Sequence, residues 1–223
     1  MEKKKENKQI EKKKEIIQSA KISILENGYK KTSMEGIMKS INSSKGSFYN
    51  SFKNKDELLN EILDEVLNGI EERNNLFLGT TIDFEKRIIE GIKISFYLDE
   101  ARIFDSLFLI NLTNNIETLN ERIRNKLILI KKEQNNFWIK ILKEGLESQN
   151  VTTKRDIFLE YGRLISNIVF NSFRRIVLYS NDANFYITSL KIAEKKIESE
   201  ETKNEIEFLY GIIIKILQGE KRK

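Results

Sequence analysis

The chain of 223 residues contains no cysteine, no histidine and no proline. The lack of cysteine excludes disulfide bonds and thiolate metal sites, which suits the reducing cytoplasm. The lack of histidine removes the most frequent general base and the most frequent metal ligand of proteins. These absences argue against an enzyme, and we expect a cytoplasmic protein without a bound cofactor or metal ion.

Interruptions of regular structure are also rare, because the chain has no proline and only 10 glycines. Apolar residues recur at helical spacing over nearly the whole length, and alternating strand patterns are scarce. The sequence therefore predicts an all-α fold. No apolar run approaches the length that crosses a bilayer, and the first residues, MEKKKENKQIEKKKE, lack the apolar core of a signal peptide.

The positive charge of the chain is concentrated near its N-terminal end. Residues 1–55 contain 14 lysines and 6 glutamates, a net charge of +8, whereas the remaining residues carry a net charge of −3. Such an excess favours a polyanionic partner, although a lysine run by itself is more often solvated surface. For the segment from Lys3 to Lys14 the alternatives are a contact with DNA and a frayed, solvated extension, and we expect the second.

Helix start and stop signals are dense in the segment 32–58. Thr32 and Glu35 have the spacing of a capping box, which predicts a short helix over about 33–41. Asn42 then offers a residue that tolerates the left-handed backbone conformation of a sharp stop. This segment therefore predicts one short helix followed by a tight turn.

A second short helix is predicted over about 45–50, with Ser44 as its N-cap. Two short helices joined by a tight turn form a helix-turn-helix, whose second helix enters the major groove of DNA. Lys45, Ser47 and Asn50 lie on or near the exposed start of this helix, where side chains reach base edges. Ser44, beside them, is a further candidate DNA contact. We therefore predict a DNA-binding segment.

Five further residues are candidate DNA contacts. Gly46 lets the helix approach DNA closely because it has no Cβ, and a packing role between the short helices is equally open. Tyr49 offers a hydroxyl to a phosphate, with a half-buried packing role as the alternative. Thr32, Ser33 and Lys55 lie at helix starts, where N–H groups and the helix dipole favour a phosphate. Predicted core residues of the same region are Ile16, Ile17, Ile24, Ile37, Phe48, Phe52 and Leu58.

Periodicity predicts the remaining helices over about 10–27, 54–75, 83–98, 101–112, 116–148, 154–179, 183–198 and 202–218. Asn54 can cap the second of these, with Glu57 at the capping-box position.

Residues 16–58 resemble, without a gap, the N-terminal DNA-binding domain of the TetR family of bacterial transcriptional regulators. The matching residues are Ile16, Ile17, Ala20, Gly28, Tyr29, Thr32, Ser33, Ile37, Ser44, Lys45, Gly46, Tyr49, Phe52, Lys55 and Leu58. The chain departs from the family pattern at the turn, where Ile41, Asn42 and Ser43 replace a small apolar residue, glycine and valine. The resemblance implies that Thr32, Ser33 and Lys55 are contacts to the DNA backbone.

The resemblance also implies a division of labour along the chain. We expect a helix-turn-helix domain with a basic extension over residues 1–54, and a larger helical bundle for effector binding and dimerisation over residues 55–223. In the family, middle helices enclose a pocket for a small-molecule effector, which tilts the long helix that begins near Lys55 and releases the operator. The aromatic middle helices of this chain favour an apolar or aromatic effector. We therefore expect a ligand-responsive transcriptional regulator that acts as a repressor.

A homodimer is expected on separate grounds. One recognition helix reads too few base pairs for useful discrimination, so a symmetric dimer on a near-palindromic double-stranded operator is the usual solution. The apolar faces of the helices near 154–179 and 202–218 are large for surface helices, and they are the predicted interface. Packing within the chain must use part of each face.

Two alternative functions stay open. The basic helix over residues 8–27 is compatible with binding to a membrane surface, although its apolar face lacks tryptophan and phenylalanine. An all-α enzyme would depend on carboxylates, lysine or tyrosine, and no paired acidic residues stand out from the solvated helix faces. We expect DNA rather than a membrane as the partner.

Overall fold

The computed structural model describes residues 2–147, 157–179 and 190–220 of the chain, and these ranges contain helices joined by turns and short connections. The predicted all-α fold is confirmed. The α-helices of these ranges are α1 (Glu2–Asn27), α2 (Met34–Ser40), α3 (Lys45–Tyr49), α4 (Lys55–Leu78), α5 (Phe84–Phe96), α6 (Glu100–Asn114), α7 (Glu121–Glu147), α8 (Ile157–Phe173), α9 (Leu190–Ile197) and α10 (Glu200–Glu220). A 3₁₀ turn, Ile116–Thr118, precedes α7, and a π-helix, Arg174–Leu178, continues α8.

Three predicted features lie wholly or partly outside the described residues. They are the last residue of the helix predicted over 116–148, the first residues of the helix predicted over 154–179 and the first residues of the helix predicted over 183–198. None of the helices in the described ranges combines the length and apolar character that a membrane span requires.

The chain divides into two compact units. The first contains Met1–Asn68 and Asp105–Leu129, and the second contains Gly69–Phe104 and Ile130–Lys223. Helices α4, α6 and α7 each contribute residues to both units. The functional division at residues 54 and 55 stays a prediction.

Helices α1, α2, α3 and the beginning of α4 pack around one apolar core in the first unit. The predicted core residues are confirmed, since each is at most 5% exposed: Ile16, Ile17, Ile24, Ile37, Phe48, Phe52 and Leu58. Burial of this many large apolar side chains is the main term that stabilises such a small helical unit. Most of the apolar face of α1, which motivated the membrane-surface alternative, is therefore covered by the protein itself, with Ile10 and Ile22 left 50% and 41% exposed.

Two predicted helix boundaries are wrong. Helix α1 begins at Glu2 rather than near Ile10, because the lysines, glutamates and glutamine of this stretch favour a helix and no glycine or proline interrupts it. The stretch predicted as one helix over 116–148 is broken at Leu119, which is extended at φ −92° and ψ 146°. Asn120 then starts α7, since its Oδ1 accepts a hydrogen bond from the Ile123 N–H at 3.0 Å.

Two glycines allow close packing within the second unit. A Cβ on Gly145 would lie 1.8 Å from Cδ2 of Phe84, so the Phe84 ring rests directly on α7. A Cβ on Gly162 would lie 2.4 Å from Cγ1 of Ile139 and 2.9 Å from its backbone nitrogen, so α8 and α7 approach at backbone distance. These contacts assign Phe84, one of the aromatic residues of the middle helices, to packing.

Candidate DNA-binding surface

Helix α2 begins with Ser33 as its N-cap. The Ser33 Oγ accepts a hydrogen bond from the Gly36 N–H at 3.0 Å. The N-cap is therefore Ser33 and not the predicted Thr32, and the predicted capping box is wrong, because Gly36 has no side chain to complete it. The cause of this shift is the end of α1: Gly28 stops that helix at φ 78°, and its carbonyl accepts the Thr32 hydroxyl at 3.0 Å.

Thr32 is only 3% exposed, and its N–H also donates to the Gly28 carbonyl, at 3.2 Å. A hydroxyl with a partner inside the protein is poorly placed to bind a phosphate. The role of Thr32 as a DNA contact stays a prediction, and it would require this hydroxyl to leave Gly28. Ser33, in contrast, is exposed at the surface.

The turn between α2 and α3 has the geometry that the sequence predicts. Asn42 adopts the left-handed conformation at φ 48°. The Ser43 N–H donates to the Met38 carbonyl at 2.9 Å and the Asn42 N–H donates to the Lys39 carbonyl at 3.1 Å. This pair of bonds is a Schellman motif, which satisfies the last carbonyls of α2 and turns the chain sharply into α3.

Helix α3 is anchored on one side and open on the other. Its N-cap is Ser44, as predicted, and the Ser44 Oγ accepts a hydrogen bond from the Ser47 N–H at 3.3 Å. Phe48 is fully buried and makes an edge-on contact with Tyr49 at 5.7 Å between ring centroids. The remaining predicted contacts of this segment lie outward, since Ser44, Lys45, Gly46, Tyr49 and Asn50 are exposed and Ser47 is half-buried. One face of the short helix is therefore free to meet a partner.

Gly46 lies in open space on that face. A Cβ at this position would meet only the Ser44 Oγ, at the ordinary contact distance of 3.7 Å. The alternative role of a packing glycine between the short helices therefore finds no support in the contacts. An exposed glycine inside a helix lowers its stability by about 1 kcal/mol relative to alanine, and no contact within the described residues accounts for the glycine at this position.

Lys45 is tied to α2 by an ion pair. Its Nζ donates to Oε1 of Glu35 at 2.6 Å, and the two side chains are 55% and 58% exposed. The hydrogen bond and charge of Glu35 raise the pKa of Lys45, and the hydrogen bond from Lys45 lowers the pKa of Glu35. Because both groups are in water, a phosphate can compete for this ammonium at small cost.

Lys55 points inward rather than into solvent. Its Nζ donates to the carbonyl oxygens of Tyr29 at 2.8 Å and Thr32 at 2.9 Å, and it lies 4.3 Å from the centroid of the Tyr29 ring. Partial burial lowers the pKa of Lys55. The Tyr29 hydroxyl donates to Oδ1 of Asp56, and burial together with this bond raises the pKa of Tyr29. Lys55 thus fastens the loop after α1 to the start of α4, and its predicted phosphate contact stays a prediction.

Three residues of this site make contacts that the sequence did not predict. Glu35 and Tyr29 hold the two predicted lysine contacts, and Asp56 holds Tyr29. Glu35 and Lys45 are ten residues apart on different helices, so no periodic pattern could have paired them. Tyr29 lies beside Gly28 in the family pattern, and that position was the one available signal.

Among the residues that the structure describes, no three acidic side chains meet as potential metal ligands. The geometry defines an outward helix with small and polar side chains beside a basic surface, an arrangement suited to binding DNA.

The domain that carries this surface matches a known family. Residues 16–62 match the family model described as bacterial regulatory proteins, tetR family. The chain carries the N-terminal domain of the TetR family, and the resemblance found in the sequence is confirmed. A comparison with curated proteins gave no match.

Solved structures share the fold over most of the chain. FadR from Bacillus subtilis, in complex with stearoyl-CoA, is similar with a TM-score of 0.61 and 21% identity, over 82% of this chain and 95% of that chain. FadR from Bacillus halodurans is similar with a TM-score of 0.64 and 19% identity, over 90% of this chain and 95% of that chain. A putative transcriptional regulator from Saccharomonospora viridis, in complex with choline, is similar with a TM-score of 0.64 and 16% identity, over 84% of this chain and 93% of that chain. At these identities the likeness establishes the fold.

Proposed function

We propose that this chain is a homodimeric transcriptional repressor that binds a near-palindromic operator through α3 and releases it when a small effector binds. The observation that carries the DNA-binding part is the exposed face of α3, where Gly46 leaves room for a close approach. The basic excess of residues 1–55 supports the same partner, since neutralised phosphates release counterions.

Selection of bound duplexes from a random pool tests this proposal with the full chain. We expect enrichment of a near-palindrome whose half-sites are about 34 Å apart, or a multiple of that distance. Enrichment of a single unrepeated site would overturn the dimeric mode of binding. A failure to enrich any sequence would overturn DNA recognition as the function.

The dimer is proposed to form through α8 and α10. Leu164 on α8 is 42% exposed and Phe208 on α10 is 61% exposed. Large apolar side chains at the surface of two helices are typical of an interface that closes with a second copy. Light scattering at micromolar concentration should give the mass of two chains, and a monomer would contradict this part.

The effector is proposed to be apolar or aromatic and to bind in the second unit. Three aromatic side chains form a cluster in that unit: Phe137 lies 5.4 Å from both Phe77 and Trp138 between ring centroids. Solved structures of this fold hold stearoyl-CoA in one protein and choline in another. A ligand can shift DNA affinity only if it binds two arrangements of the protein unequally. Helix α4 contributes to both units and is the element through which we propose that the shift is transmitted.

A thermal-shift screen with apolar and aromatic compounds, stearoyl-CoA among them and choline as a polar comparison, tests the effector class. We expect an apolar compound that raises the Tm also to weaken binding to the selected duplex. Compounds that raise the Tm and leave the DNA affinity unchanged would contradict the regulatory link.

A further inference from the structure

The lysine-rich start of the chain, residues 2–15, is a helical rod, where the sequence predicted a frayed extension. Residues 16–62, which contain the C-terminal part of α1, all of α2 and α3 and the start of α4, are called the head. Helix α1 begins at Glu2, whereas the first fully buried residue of the head is Ile16. At about 1.5 Å per residue, the fourteen residues before Ile16 extend the helix by about 21 Å. They contain seven lysines and four glutamates. A positively charged rod therefore projects from the three-helix head.

The direction of this rod is held by contacts to the head. Lys13 forms an ion pair with Glu61 of α4, and its Nζ lies 5.4 Å from the centroid of the Phe52 ring. Phe52 belongs to the buried core. The base of the rod is thus fixed to the same core that orients α3.

One edge of the rod lies next to α3. Side chains of residues 8–13 and Glu15 line a surface groove together with Ser47, Asn50 and Ser51. Lys8 and Lys12 are one helical turn apart on this edge. Lys12 pairs with Glu15 at 2.8 Å in an exposed i,i+3 contact, which is a weak restraint. Within the part of the chain that the structure describes, Lys8 has no carboxylate at ion-pair distance.

We propose that the edge of α1 carrying Lys8 and Lys12 binds the phosphates of duplex DNA that flank the bases read by α3. The proposal rests on the proposed function of α3. A strand that passes Ser47 and Asn50 meets the groove next, where Lys8, Lys12 and Lys13 outnumber the carboxylates of Glu11 and Glu15. Phosphate contacts of this kind add affinity and fix register without reading sequence.

The test is a salt titration of duplex binding by the full chain, using a duplex selected from a random pool. The test variant carries Lys8→Gln and Lys12→Gln. The matched control carries Lys191→Gln and Lys195→Gln, two exposed lysines that are likewise one turn apart, on α9. Loss of two phosphate contacts from each chain of the proposed dimer, four in all, should make the slope of log K against log salt shallower by about 3.6. The control should keep the slope of the wild type.

A Lys8→Arg, Lys12→Arg variant keeps both charges and should also keep the wild-type slope. Circular dichroism of each variant reports whether α1 is still helical. An unchanged slope in the glutamine variant, beside a wild-type chain that binds the duplex, would overturn the contact and leave the function of α3 intact. A wild-type chain that binds no duplex would instead overturn the proposed function itself.

Discussion

Lys55 lies at the start of α4, as predicted, but its ammonium contacts backbone carbonyls of the protein itself. Its position at the start of α4 suits a phosphate contact, yet the ammonium donates to two carbonyl oxygens of the loop between α1 and α2. An ammonium has three donors, so one is still available for DNA. Lys55 therefore stabilises the contact between this loop and α4, in addition to its predicted role in DNA binding.

Replacing Lys55 with alanine should lower both stability and affinity. The substitution leaves the Tyr29 and Thr32 carbonyls without this donor, and we expect the free energy of unfolding to fall by about 1 kcal/mol. Binding should weaken on every duplex, since a phosphate contact carries no sequence information. Urea unfolding and a salt titration measure the two effects.

Lys53→Ala is the matched control, because the Lys53 side chain is exposed nearby. It should leave the stability unchanged. A Lys55→Ala protein that is as stable as the wild type would show that the two carbonyl contacts contribute nothing. If that variant bound every duplex as tightly as the wild type, the phosphate role would be wrong.

Gly46 allows stability to be separated from binding. Gly46→Ala adds a Cβ that the protein accommodates, so we expect the free energy of unfolding to stay constant or to rise by up to about 1 kcal/mol. DNA affinity should fall, because the methyl group occupies the space between α3 and the groove. Gly69→Ala, at another exposed helical glycine with nothing within 4 Å, should change stability alike and leave binding unchanged. Equal DNA affinity of the two variants would remove Gly46 from the interface.

The ends of the short helices depend on single residues whose backbone conformation is unusual. Asn42 ends α2 in the left-handed region, where the TetR family usually has glycine. A side chain with a Cβ is strained in this conformation by about 1–2 kcal/mol, and asparagine offsets part of that cost through local hydrogen bonding.

Asn42→Gly and Asn42→Ala should therefore have opposite effects. We expect glycine to maintain or raise the free energy of unfolding and alanine to lower it by about 1 kcal/mol. Urea unfolding of the two variants measures the difference. An alanine variant as stable as the glycine variant would show that the turn does not depend on the conformation of this residue.

Sequence reasoning succeeded where one residue type determines the local backbone. Asn42 and Ser44 are examples, and Asn54 caps α4 as predicted, through its Oδ1 and the Glu57 N–H at 2.8 Å. It failed where a second partner decides the outcome. Thr32 does not cap α2, because its hydroxyl donates a hydrogen bond to the Gly28 carbonyl instead. A competing contact of this kind depends on the tertiary structure, so the spacing of residues along the sequence does not predict it.

On the scale of the whole molecule, surface apolar residues have to be explained as well as buried ones. Phe208 on α10 is 61% exposed, although α10 buries Ile206, Leu209, Ile213 and Leu217. Together with Leu164 on α8, which is 42% exposed, Phe208 marks the surface through which we propose that two copies meet.

Phe208→Lys should convert the proposed dimer into a monomer, because a buried unpaired ammonium is unfavourable in an apolar interface. Sedimentation equilibrium measures the mass, and binding to a full palindrome should fall to the level of a half-site. Leu76→Lys, at a residue of α4 that is 77% exposed, is the control and should change neither. A Phe208→Lys protein that stays dimeric would place the interface elsewhere.

The ion pair of Lys45 with Glu35 has a consequence for the search along a genome. The pair is exposed and weak, so a phosphate displaces it at small cost, but the Glu35 carboxylate is then left facing the polyanion. Off-target complexes should therefore be short-lived, and the chain should sample many sites in the time that a more uniformly basic surface would spend on one.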